Sequence, residues 1–127
     1  MKRLKLGCAA LCALSIAGPA WSHHSVAMFD HAKEIKLQGV VKQLHWASPH
    51  AWIDLVVTPP GGPPEQWAIE GSSPLVLERY GWSHDTFKPG DVVTLTANPL
   101  KDGRLGGSFL SATFADGHVV EGRPGGR

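Results

Sequence analysis

The chain has 127 residues, with 12 Lys and Arg against 11 Asp and Glu and a formal net charge of +1. This length suits one small domain rather than several. After residue 22 the acidic residues outnumber the basic ones, and this argues against nucleic-acid binding, which needs a basic face. The two cysteines, Cys8 and Cys12, lie at the start of the chain. Disulfides and thiolate-bound metals are therefore excluded from everything after residue 12.

The first 22 residues have the features of a secretory signal peptide. A positive start at 2–5 precedes an apolar run at 6–18, which is the order that export signals show. Because the run is shorter than the roughly 20 residues that cross a bilayer, we expect cleavage and only transient membrane contact. The small residues suit cleavage after Ser22 or after Ala20. The sequence therefore predicts a periplasmic or secreted protein.

Removal of residues 1–22 changes the charge of the protein. Nine Lys and Arg then face eleven Asp and Glu, and all seven histidines remain. We divide the remainder into an N-terminal segment at 23–33, one domain at 34–121 and a flexible tail at 122–127. The high histidine content is the first indication of metal or ligand chemistry.

Three strands are predicted before residue 72. The first, at 34–46, is rich in β-branched and apolar residues, and Gly39 interrupts it where a β-bulge or a sharp coil of the strand would fit. The second, at 50–57, alternates between an apolar and a polar face. Its apolar face carries Ala51, Ile53, Leu55 and Val57, and its polar face carries His50, Trp52 and Asp54. A Pro/Gly-rich loop at 58–65 separates it from a third strand at 66–71.

A short helix is predicted after the third strand. Ser72 or Ser73 supplies an N-cap, Pro74 suits the first helical position, and Gly81 suits the stop. The helix would have about two turns.

Two further strands complete the predicted domain. A Lys-Pro-Gly-Asp turn of type II at 88–91 precedes a fourth strand at 92–100. A fifth strand at 108–120 ends in a turn at Asp116–Gly117. Three strands, a short helix and two strands is the order of a five-stranded OB barrel, in which the helix lies between strands three and four. An immunoglobulin-like sandwich is the alternative, but it has about seven strands and no helix.

Polar residues on the second and third strands form a predicted binding face. It consists of His50, Trp52, Asp54, Gln66 and Glu70. OB barrels commonly bind ligands on the face made by these two strands. No serine lies in a nucleophile-elbow context, so we expect an accessory protein that binds an envelope protein or a small ligand, without catalysis.

The histidines also allow a copper site. Cleavage after Ser22 would make His23 the first residue, able to chelate Cu(II) through its amine and its ring. Other imidazole ligands would come from His24, His31, His45 or His50. Cleavage after Ala20 would make His23 the third residue, which binds Cu(II) in a square plane with backbone nitrogens. Nitrogen ligands of this kind suit Cu(II).

Several stretches of the chain resemble a known family. They are HHSVAMFD (23–30), GVVKQLHWASPHAWIDL (39–55), WAIEGSSPLVLERYGW (67–82), KPGDVVTL (88–95) and ATFADG (112–117). Together they resemble a family of small exported bacterial proteins, the domain of unknown function 6152. Ala47 and Ser48 depart from its pattern, where relatives often carry a polar pair ending in Asn. The resemblance implies export and one small β domain, and it implies no activity, cofactor or partner.

Overall fold

The computed structural model describes residues 26–123. The predicted signal peptide, His23, His24 and the last four residues lie outside the described range. After a 3-10 helix at Val26–Met28, the elements are β1 (Ile35–His45), β2 (Trp52–Val57), β3 (Glu65–Glu70), α1 (Pro74–Glu78), β4 (Val92–Pro99), β5 (Gly106–Phe114) and β6 (Val119–Glu121).

Five strands close into a barrel. The strands are ordered β3-β2-β1-β4-β5-β6, with antiparallel neighbours, and a parallel pairing of β3 with β5 completes the ring. The short strand β6 pairs only with β5 and lies outside the closure. With α1 between β3 and β4, the predicted OB-like barrel is confirmed.

The helix forms where the sequence predicts it. Ser73 is the N-cap, although its side chain makes no capping hydrogen bond, and Pro74 is the first helical residue. The α-helix has five residues and is thus shorter than the predicted two turns. A turn continues the chain to Gly81, whose φ of +83° suits glycine. No helix within residues 26–123 is long and apolar enough to cross a bilayer.

The predicted bulge at Gly39 is wrong. The irregular register between β1 and β2 lies between Val41 and Gln43. Gly39 is required for another reason, because a Cβ at this position would lie 2.5 Å from the backbone oxygen of Val56. The glycine therefore permits the close approach of β1 to β2 in the curved sheet.

The predicted fifth strand at 108–120 is in fact a hairpin. β5 ends at Phe114, the chain turns through Gly117 with a φ of +91°, and β6 returns along β5. The backbone amide of Gly122 then donates to the oxygen of Leu110 at 2.9 Å. Residues 122 and 123, which the sequence analysis placed in the tail, thus lie beside the barrel.

The barrel interior holds alternate residues of each strand. Ile53, Leu55, Ile69 and Leu95 are fully or almost fully buried, and the predicted facing of β2 is confirmed. At one end, an aromatic cluster contains Trp82, Phe87, Phe109 and Phe114, with ring centroids 4.9–6.0 Å apart. Burial of side chains of this size stabilises a fold by about 1.5–3 kcal/mol each.

Candidate ligand-binding site

A histidine–glutamate pair lies where β2 begins and β3 ends. Nδ1 of His50 is 2.8 Å from Oε1 of Glu70, and the two side chains are 35% and 10% exposed. Backbone hydrogen bonds from Ala51 to Ser72 and from Gly71 to Ala51 hold the two segments in register. Burial raises the pKa of Glu70, and the nearby charge of His50 partly opposes this rise.

A cavity of about 130 Å³ opens beside this pair. Its apolar floor consists of Phe29, Leu77 and Phe109. Polar residues around the floor are His31, His50, Glu70, Ser72, Ser108 and Arg123, with Gly71 and Gly122 between them. The lining therefore comes from both ends of the described chain, from the start of β2, from the end of β3, and from α1 and β5.

The segment before β1 forms one wall of the cavity. Phe29 makes an isolated β-bridge with Leu100, which fixes the segment against the end of β4. The buried Asn98 reinforces this contact, since its amide donates to the backbone oxygen of Lys33 at 2.7 Å. Its Oδ1 is 3.3 Å from Nδ1 of His31. These bonds hold His31 at the cavity rim.

A second cavity of about 260 Å³ adjoins the first. The two share His31, Ser108, Phe109 and Arg123. The second cavity adds two acidic residues, Glu34 and Glu121, to its lining. The two cavities thus have lining residues in common, and each also has acidic residues of its own: Glu70 in the first, and Glu34 and Glu121 in the second.

The outer face of β1, β2 and β3 carries the other residues of the predicted binding face. Trp52 is 37% exposed. Asp54 accepts a hydrogen bond from Nε2 of His45 at 2.8 Å, and Gln66 accepts one from Nζ of Lys42 at 2.9 Å. The predicted face therefore divides in two: Trp52, Asp54 and Gln66 lie on the outer face, while His50 and Glu70 line the cavity.

The predicted metal ligands are not gathered by the described part of the chain. His45 and His50 each pair with a different carboxylate, Asp54 and Glu70 respectively. Residues 26–123 contain no group of three or more His, Cys, Asp or Glu side chains that could hold a metal ion. The copper hypothesis therefore depends on His23 and His24, which lie outside the described residues.

Sequence reasoning missed several residues of the cavity. Arg123 was assigned to the tail, and Phe29 and Ser108 were not singled out. The available signal was the Asp116–Gly117 turn followed by Val-Val, which is typical of a hairpin that returns the chain to the sheet.

Comparison with protein families agrees with the resemblance seen in the sequence. A family of unknown function, DUF6152, matches residues 11–109 of this chain. The chain belongs to this family. No similar protein was found among curated proteins, and none among solved structures.

Proposed function

Because membership in a family of unknown function names no ligand, we propose from the site itself that this protein is an exported, non-catalytic binding module. It would act in the periplasm or outside the cell and hold a small ligand in the cavity beside His50 and Glu70. The observation that carries the proposal is a largely buried carboxylate, Glu70, at the edge of a cavity with an apolar floor and a polar rim.

This arrangement is better explained by binding than by stability. A buried ion pair contributes little net stability, because desolvation of the two charges offsets their attraction. Groups whose pKa is shifted by burial cluster at functional sites, and small-molecule sites typically combine apolar walls with a few convergent polar groups. Glu70 has a pKa shifted by burial, and the small cavity beside it joins three buried apolar side chains to several polar ones.

Nuclear magnetic resonance titrations test the cavity directly. Three probes of benzene size, phenylacetate, benzyl alcohol and benzylamine, would be added to the mature protein. We expect at least one to shift the amide signals of Gly71, Ser108 and Gly122, which line the cavity. Ser108→Leu should fill the cavity and abolish the shifts, while Thr113→Leu, exposed on the same strand, should not. If none of the three probes shifts these amides, the proposed site is wrong.

The outer face with Trp52 is where a protein ligand from the envelope would bind. Trp52→Ala removes an exposed indole that does not line the cavity, although Trp52 is the strand partner of Glu70. We expect this variant to bind the three probes as the wild type does. If it loses probe binding, the ligand lies on the outer face instead.

The proposed export is tested by mass spectrometry of the mature amino terminus. A protein beginning at His23 or at Trp21 would agree with it. If the protein isolated from the cell still begins with Met1, the proposed cleavage of the signal peptide is wrong.

Copper binding is a second candidate, and the geometry of His50 favours it. A carboxylate that holds one nitrogen of an imidazole orients the other nitrogen for a metal, and Glu70 holds Nδ1 of His50 in this way. Phe29 lines the same cavity, and it follows His24 by five residues in the sequence. His23 and His24 would then supply the remaining nitrogen ligands.

Titration of Cu(II) into the mature protein tests this candidate. We expect submicromolar binding that weakens in His23→Ala and in His50→Ala. His84→Ala is the matched control, because His84 is exposed and pairs only with the neighbouring Asp85 among the described residues. Equal binding by the wild type and His23→Ala would exclude this ligand set.

A further inference from the structure

The charges around the cavity indicate which ligand it fits. Among the described residues that line the first cavity, Arg123 alone carries a permanent charge. Glu70 is the one carboxylate in this lining, and it is bonded to His50. Nδ1 of His50 lies 2.8 Å from Oε1 of Glu70, so the carboxylate that would oppose Arg123 is already engaged. The guanidinium of Arg123 is thus the cationic group that this lining offers to a ligand.

The groups at the rim are those that bind a carboxylate. A guanidinium presents two parallel N–H groups that match the two oxygens of a carboxylate. The hydroxyls of Ser72 and Ser108 are further donors at the rim. A cationic ligand would compete with His50 for Glu70, because Oε1 of this carboxylate already lies 2.8 Å from Nδ1 of His50.

The floor and the volume indicate the rest of the ligand. Phe29, Leu77 and Phe109 are buried apolar side chains that face the cavity. Its volume of about 130 Å³ is close to that of an engineered protein cavity, roughly 150 Å³, that binds benzene. The first cavity therefore has room for a ring or a branched alkyl group and not for a large cofactor.

Resting on the binding function proposed above, we propose that the ligand is a small organic anion: a carboxylate joined to an apolar group the size of one ring. Its carboxylate contacts Arg123 and the rim hydroxyls, and its apolar group lies on Phe29, Leu77 and Phe109. Glu34 and Glu121 line the adjoining cavity, so repulsion from them favours the carboxylate in the first cavity.

The same three probes separate this proposal from the broader one. Phenylacetate, benzyl alcohol and benzylamine have similar rings and carry charges of −1, 0 and +1 near neutral pH. We expect phenylacetate to bind at least fivefold more tightly than the alcohol, and the amine to bind most weakly. Raising the salt concentration should weaken phenylacetate binding but not alcohol binding, because salt screens charges.

Substitution of Arg123 supplies the decisive comparison. Arg123→Gln should weaken phenylacetate binding at least fivefold and change alcohol binding less than twofold. Arg104→Gln is the matched control, because Arg104 is exposed, pairs with Asp102 and lies outside the cavity lining. Both arginines are exposed, so neither variant should unfold.

The outcomes distinguish the two proposals. If the alcohol or the amine binds in the cavity as tightly as phenylacetate, the anion proposal is overturned and the binding site stands. Equal phenylacetate affinity in the wild type and Arg123→Gln also overturns it. If no probe shifts the cavity amides, both proposals fail together.

Discussion

Nδ1 of His50 lies 2.8 Å from Oε1 of Glu70, a residue twenty positions later in the sequence. The glutamate is the last residue of β3, where it pairs in register with Trp52 at the start of β2. Its side chain is 10% exposed, and that of His50 is 35% exposed. The pair thus joins the start of β2 to the end of β3 beside the cavity.

The ionisation of Glu70 should make stability depend on pH. Burial raises the pKa of Glu70 above 4.5, its ordinary value, so the folded state holds this proton more tightly than the unfolded state. The stabilising contribution is therefore complete below pH 4.5 and is lost as the pH rises through the raised pKa. The nearby charge of His50 opposes part of this rise in pKa. His31 and Arg123 also line the cavity.

Glu70→Gln removes this titration and keeps the size of the side chain. Relative to the wild type, the variant should gain stability as the pH rises from 4 to 7. Urea unfolding across this range measures the difference, with Glu78→Gln as a control for loss of an exposed carboxylate. A difference that does not change with pH, or that falls, would contradict the expected shift in pKa.

Removal of His50 should cost more stability than removal of His45. His50→Ala leaves the largely buried carboxylate of Glu70 without this partner, which costs about 1–3 kcal/mol. The His45–Asp54 pair has the same length of 2.8 Å, but its side chains are 42% and 20% exposed. His45→Ala should therefore change stability by less than about 1 kcal/mol. Urea unfolding near pH 6 measures both variants, and equal costs would mean that burial does not separate the two pairs.

The fold was largely predictable because local patterns encode it. Alternation along β2 identifies the buried face, and Pro74 and Gly81 mark where the helix starts and where the turn after it ends. At 88–91, Gly90 has the positive φ that a type II turn needs. The bulge was misplaced because the register of β1 depends on its pairing with β2 and β4, which no local pattern shows.

The candidate site was predictable only in part. His50 and Glu70 were found because His50 lies two residues before β2 and Glu70 ends β3, and the sequence predicts both strands. The cavity itself was not, because residues far apart in the chain, including Phe29, Ser108 and Arg123, meet there only when the barrel closes. The contact of Arg123 with the cavity further depends on the β5–β6 hairpin.

Gly39 should tolerate no side chain without loss of stability. A Cβ would lie 2.5 Å from the backbone oxygen of Val56, so β1 and β2 must separate to admit it. Gly39→Ala should therefore destabilise the protein by about 1–3 kcal/mol, as overpacking typically does. Gly71→Ala is the control, because its Cβ would meet its nearest atoms at an ordinary 3.5 Å. Thermal unfolding of both variants measures the effect. Similar melting temperatures would show that β1 can move away from Val56 at little cost in stability.

The indole of Trp82 should hold β6 and, through it, the cavity rim. Its Nε1 donates to the backbone oxygen of Glu121 at 2.8 Å, and Gly122 then bonds to Leu110 at 2.9 Å. Trp82→Phe keeps an aromatic ring beside Phe109 but loses this donor, which contributes about 0.5–1.5 kcal/mol. We expect Trp82→Phe to accelerate hydrogen exchange, relative to the wild type, more at the amide of Gly122 than at that of Leu95, which lies in the barrel.

Phe87→Leu provides the comparison for Trp82→Phe. It disturbs the same aromatic cluster but leaves the bond from Trp82 to Glu121 in place. If both variants accelerate exchange at Gly122 and Leu95 equally, the indole acts only through packing. Selective acceleration at Gly122 in Trp82→Phe, together with weaker phenylacetate binding, would show that the hydrogen bond to β6 also positions Arg123, because this arginine directly follows Gly122.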